Sequence, residues 1–316
     1  MRYIPQLDGL RAVAVVAVVL FHCAPHGAFS GGFLGVDLFF VLSGYLITSI
    51  LSAELRAKGS IDLKRFYFRR FRRLMPALLL MLCLYAVAAP LAWPSYPHGR
   101  DAVLAALYVS DYTYWLWHVP LYLQHTWSLA VEEHFYLLWP LLLPLLLRTR
   151  RPVFWLLTAF LATTAWRAAQ GDWTSYYYRF DTHATGLILG CALALTELRI
   201  PRAAAPIAAA VLAILFVVAD IRFAEAYIPL AELAAAALIV SRPAVLAQSV
   251  LVGLGRISYG IYLYHFPIAY ALRGTMPSAA TALVTLAASI ALAWLSWQTV
   301  EAWTRRPKPA VARAAP

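Results

Sequence analysis

Apolar residues in this chain come in blocks of about 20, the length that crosses a bilayer core as one α-helix, with short polar or basic breaks between them. The blocks fall at 8–24, 33–53, 74–92, 128–147, 152–169, 182–198, 203–220, 226–241, 257–273 and 279–300. The pattern predicts an all-α polytopic integral membrane bundle of about ten transmembrane helices. A further stretch at 101–117 is weaker, because Asp101, Asp111 and several tyrosines interrupt it.

Basic residues decide the status of that stretch. With ten spans and both termini cytoplasmic, 20 of the 26 lysines and arginines flank the membrane on the inner side. Arg100, Arg179, Arg222 and Arg273 lie outside, and Arg11 and Arg167 lie within spans. Letting 101–117 cross would carry eleven inner charges to the outer side. Segment 93–127 is therefore expected to be a long outer segment that dips back toward the membrane. One membrane domain covers 1–304, and a short basic tail follows at 305–316.

Composition removes other classes. A chain that is 62% hydrophobic and 13% charged is no soluble domain, so the net charge of +11 reads as topology rather than nucleic-acid binding. Cys23, Cys83 and Cys191 are scattered and odd in number, which points to neither a disulfide framework nor a zinc site. No metal is expected. Asp8, His22 and the many later spans mark the first segment as a retained helix rather than a cleaved signal.

Arg11 and His22 are eleven residues apart in the first span. At about 100° per residue they return to nearly one face, about 16 Å apart along the axis. Each has a plain reading, a snorkelling arginine and a satisfied bundle histidine. Together they suit a long anionic ligand gripped at one end and attacked at the other.

Other ionisable residues gather toward the outer half. Asp37 falls near the outer end of the second span, Glu132 and Glu133 open the fourth, and Asp181 and His183 open the sixth. His265 falls midway along the ninth. Asp37 or Glu133 is expected to orient His22, since a carboxylate on one imidazole nitrogen leaves the other as a base. On the inner side, RFYFRRFRRLMP carries Arg69, Arg70, Arg72 and Arg73, suited to phosphate oxygens or simply to anionic lipid. Trp127 and the aromatic residues of 93–127 read as an interfacial belt or a sugar platform.

Six strings in order resemble the acyltransferase 3 family of membrane O-acyltransferases. They are YIPQLDGLRAVAVVAVVLFH, GGFLGVDLFFVLSGYLIT, FRRFRRLMPALLL, HTWSLAVEEHFYLLWP, RFDTHATGLILGCALA and LGRISYGIYLYHFPI. The resemblance implies transfer of an acyl group, usually acetyl, from cytoplasmic acyl-CoA to a hydroxyl of a saccharide or glycosylated acceptor. It implies Arg11 and His22 as the family's basic-X10-His signature, Arg69, Arg70, Arg72 and Arg73 as its arginine motif, and Glu132–Glu133 as its paired glutamates. His134, Tyr264 and the His183-Ala184-Thr185 stretch depart from the usual pattern. Some relatives carry an added esterase-like domain, and a standalone membrane domain is expected here.

The expected catalytic set is His22, Asp37, Glu132 and Glu133. Arg11 and the four arginines hold the donor, and Trp127, Asp181, His183 and His265 lie on the acceptor side. His22 acts as general base or carries the acyl group transiently. Acyl-CoA is a co-substrate and no cofactor is bound permanently. The expected location is the plasma membrane, in contact with lipid, a glycan acceptor and no nucleic acid. A transporter or flippase of a glycolipid or small molecule is the rival class, against which stand the one-sided ionisable cluster and the lack of a visible repeat.

Overall fold

A computed structural model describes residues 3–24, 27–196, 198, 200, 201 and 203–305. The basic tail from residue 306 onward and Arg2, Arg199 and Arg202, expected as inner charges, lie outside the described residues. The described chain is all-helical. In order the helices are α1 (Pro5–Cys23), α2 (Gly35–Lys58), α3 (Leu63–Ala92), α4 (His98–Ala106), α5 (Ser110–Trp117), α6 (Trp127–Leu147), α7 (Pro152–Ala168) and α8 (Trp173–Tyr177). They continue as α9 (Phe180–His183), α10 (Thr185–Ala194), α11 (Ala204–Val218), α12 (Ala224–Ser241), α13 (Ser249–Arg256), α14 (Ser258–Leu272), α15 (Ser278–Gln298) and α16 (Val300–Arg305).

Each apolar block contains a helix. Among the described residues, six stretches are both long and apolar enough to cross a membrane: Pro5–Cys23, Gly32–Lys58, Leu63–Ala92, Gln124–Leu147, Ile221–Ser241 and Ser278–Ala302. The others are shorter, as α10 with its ten residues illustrates. The doubtful stretch is broken into α4 and α5, of nine and eight residues. At 1.5 Å per residue neither crosses about 30 Å of hydrocarbon. The break falls at Tyr108, whose φ of 53° ends the helix.

α1 is the axis of the bundle. Its neighbours are α2, α13, α14 and α15, so its small residues Ala12, Ala14 and Ala17 are buried on nearly all sides. A close crossing joins α2 to α10. A Cβ on Gly44 would sit 2.1 Å from the Leu187 carbonyl oxygen, and one on Gly190 would sit 2.2 Å from that of Val41. Only glycine permits that approach, the usual device where helices pack without a hydrophobic drive from water. The crossing fixes the angle of α2, which carries Asp37 and Ser43 inward.

Candidate active site

A cavity of about 890 Å³ opens at the Arg11 end of α1. Asp8 and Arg11 from α1, four arginines from α3, and Arg256 with Tyr259 line it. Asp62 accepts from the Arg65 backbone N–H at 2.9 Å and caps the start of α3. Arg70 and Arg73 are three residues apart, so they share one face of that helix. Both also line a smaller inner chamber, which Arg69 and Arg72 do not. Arg70 lies over the Tyr136 ring at 4.7 Å, a cation–π contact that orients its planar fork. Arg11 stands 3.6 Å from Asp8. Arg69 is drawn outward, 3.8 Å from Glu54.

The inner chamber, of about 90 Å³, continues from the cavity past Arg11, Ser43 and Tyr136 toward Glu132, Ser128 and Tyr262. Glu132 accepts a hydrogen bond from Ser43 Oγ, which itself accepts from Tyr136 OH at 3.1 Å. Ser128 and Tyr262 hydroxyls meet at 2.6 Å and form the chamber's far wall. This joins six helices around a passage that is cationic at its mouth and ends on the Ser128 and Tyr262 hydroxyls.

Beyond that wall lie three imidazoles. His22 Nδ1 is 3.1 Å from His265 Nε2, and the rings of His265 and His125 are 5.4 Å apart. His265 Nδ1 donates to the Tyr262 carbonyl oxygen at 2.6 Å, one ring from the chamber wall. His125 Nε2 donates to the Leu263 carbonyl oxygen at 3.1 Å. Arg273 Nε donates to the His22 carbonyl oxygen at 2.5 Å, closing the C-terminal end of α1, where helix carbonyls lack partners.

The partners expected for His22 are elsewhere. Asp37 accepts from His183 Nε2 at 2.8 Å, with both side chains fully buried. The Gly44–Gly190 crossing brings α2 against α10 and commits Asp37 to that pair. Glu132 sits with Arg11 and Arg70 in the inner chamber, away from the histidines. Glu133 does not share its direction, because successive helix residues diverge by about 100°. His134, next along α6, reaches Asp111 at 3.2 Å. Glu132 and Glu133 are thus neighbours in sequence but not a side-chain pair.

The acceptor-side candidates also separate. Trp127 is buried, its ring 5.0 Å from that of His183, where it packs instead of presenting a sugar platform. Asp181 pairs with Arg179 and accepts from Trp166 Nε1 at 3.0 Å. Only His265 joins the His22 cluster. In segment 93–127, Trp93 stacks on Tyr122 at 4.0 Å, while Asp101 accepts from the Leu121 backbone at 2.8 Å and holds the loop.

Four residues were given no role by the sequence reading. His125 was seen only inside a motif, and Arg256 only as an inner charge. Arg167 is fully buried and donates to Thr185 Oγ1 at 3.0 Å, while Thr185 in turn donates to Glu232 Oε1 at 2.5 Å. A charge within an apolar block was the available signal for Arg167, and Glu232 was its natural partner.

A family model described as an acyltransferase domain, Acyl_transf_3, matches residues 4–298. The chain is 34% identical to the peptidoglycan O-acetyltransferase OatA of Listeria monocytogenes over 96% of its own length and 56% of that protein. It is 40% identical to the O-acetyltransferase OatA of Staphylococcus aureus over 61% of its own length and 34% of that protein. The chain therefore spans about half or less of these curated relatives. No solved structure matches.

Proposed function

The chain belongs to the acyltransferase 3 family, and on that footing we propose that it moves an acetyl group from acetyl-CoA to a carbohydrate hydroxyl. The observation that carries the reading is the arginine-lined cavity, continuous with the inner chamber, at one end of α1, with His22 at the other. The relatives' names extend the proposal to peptidoglycan as the acceptor.

The donor enters from the cytoplasmic side. Arg70, Arg73, Arg11 and Arg256 take its phosphates, as guanidinium forks suit phosphate oxygens. The pantetheine arm follows the inner chamber past Glu132 to Ser128 and Tyr262, which brings the thioester toward the histidines. The acceptor hydroxyl reaches His22 from the opposite side of the membrane. Its proton passes to His22 Nε2 as its oxygen attacks the acetyl carbonyl. The C–O bond forms, the C–S bond breaks, and the departing CoA sulfur takes the proton back. General-base help of this kind is worth about 10²–10⁴-fold in rate.

The test is purified protein in nanodiscs with acetyl-labelled CoA and a soluble peptidoglycan fragment. Labelled ester on the glycan is expected, with at least about 10²-fold less from His22→Ala. Wild-type protein that leaves the thioester intact would overturn the proposal, and so would a fully active His22→Ala.

A further inference from the structure

We propose that His265 is the positioning residue for His22, its Nε2 accepting a hydrogen bond from the His22 Nδ1–H and so leaving the lone pair of His22 on Nε2, facing substrate. The inference rests on the acetyl-transfer reading for its consequence, but not for its geometry.

The tautomers follow from what each nitrogen meets. His265 Nδ1 lies 2.6 Å from the Tyr262 carbonyl oxygen. A carbonyl only accepts, so that nitrogen carries hydrogen. In a neutral ring, His265 Nε2 is then an acceptor. His22 Nδ1 faces two groups, that same Nε2 at 3.1 Å and the Val18 carbonyl oxygen at 3.0 Å. Both accept, so His22 carries its hydrogen on Nδ1. The reverse assignment would set a nitrogen lone pair against the Val18 carbonyl and require a doubly protonated His265 among buried rings, with Arg273 already bonded beside it. One consistent set remains, and it leaves His22 Nε2 as the basic nitrogen. That atom makes no hydrogen bond among the described residues.

His265 itself is held on every side. It is fully buried, tied to its own helix through Tyr262, and packed edge-on to His125 at 5.4 Å between ring centres. When His22 takes up a proton at Nε2, its Nδ1–H bond to His265 becomes charge-assisted and stronger. A neutral imidazole thus fills the role that a carboxylate fills in many general-base pairs, and Asp37, engaged by His183, is not required for it.

Glutamine at 265 offers a carbonyl where Nε2 accepts and an amide N–H₂ where Nδ1 donates, so His265→Gln tests the hydrogen-bond role at nearly constant shape. His265→Leu removes both. The full chain, labelled with ¹⁵N-histidine, is read by NMR, with His22→Gln identifying the His22 signals. We expect a protonated Nδ1, a bare Nε2 and an Nδ1–Nε2 coupling across the bond in wild type. We expect His265→Leu to lower kcat by about 10²-fold with KM for acetyl-CoA unchanged, and His265→Gln to restore most of it. Hydrogen on His22 Nε2 in wild type overturns the proposal, as does full turnover by His265→Leu or a His265→Gln no better than it. If instead wild type transfers no acetyl group but the NMR pattern holds, the functional reading fails and the tautomer assignment stands. Should His265→Leu not fold, the wild-type spectrum and His265→Gln still decide.

Discussion

His125 Nε2 donates to the carbonyl oxygen of Leu263 at 3.1 Å, and that oxygen is free because Pro267, four residues on in α14, has no N–H to give it. Proline thus opens the helix ladder at one rung and a histidine from another segment closes it. His125→Leu strands a buried carbonyl and should cost about 1–3 kcal/mol, read as a lower unfolding temperature in detergent. Adding Pro267→Ala restores an amide donor at the same rung, so the double variant should recover much of the loss. No recovery would mean that His125 acts through packing alone.

The four arginines of α3 are not equivalent. Arg70 and Arg73 line both the cavity and the inner chamber, while Arg69 is turned toward Glu54. Arg70→Ala and Arg73→Ala are each expected to raise KM for acetyl-CoA about tenfold, the equivalent of roughly 1.4 kcal/mol. Arg69→Ala should change it less than threefold, within the range of an exposed pair. Arg70→Lys keeps the charge but loses the planar contact with Tyr136, so it should behave closer to Arg70→Ala than to wild type. Equal effects at all four positions would instead favour a diffuse electrostatic role.

Periodicity carried most of the fold and one dimension of the site. Hydrophobic blocks mark helices because the bilayer and the bundle interior both reject polar backbone outside a helix. The shared face of Arg11 and His22 is a property of one helix, so it is legible from spacing alone. Partnerships between helices are not. His22 and His265 are 243 positions apart, and Asp37 and His183 are 146 apart, and nothing local distinguishes Asp37 from Glu133 as a partner for His22. The divergence of Glu132 from Glu133 was legible, since adjacent residues on a helix cannot share a face.

Asp37 is expected to support the fold rather than the chemistry. Its pair with His183 is fully buried, and removing one partner of such a pair typically costs about 3–5 kcal/mol. His183→Leu and Asp37→Leu should each lower the unfolding temperature sharply, whereas the double Leu variant should regain part of it. Whatever protein survives should keep its KM for acetyl-CoA. A stable Asp37→Asn protein with kcat lowered more than 10²-fold would return Asp37 to the catalytic set.

Asp181 should make the α9 corner acid-sensitive. Burial pushes its carboxyl up, but the pair with Arg179 and hydrogen bonds from Trp166 and Tyr112 outweigh that and hold it below the usual carboxylate range. A carboxyl depressed on folding stabilises the fold above its unfolded pKa of about 3.9, and that contribution is lost as pH falls through the lower folded value. Wild type should therefore exceed Asp181→Asn in unfolding temperature near pH 6, with the gap beginning to close only below about pH 4. The side chain is 35% exposed, so solvent screening keeps the gap small compared with that of a buried pair. Unfolding temperatures of both proteins across that range decide the matter. A gap that stays constant or widens toward acid would mean that the Arg179–Asp181 pair contributes nothing through its charge.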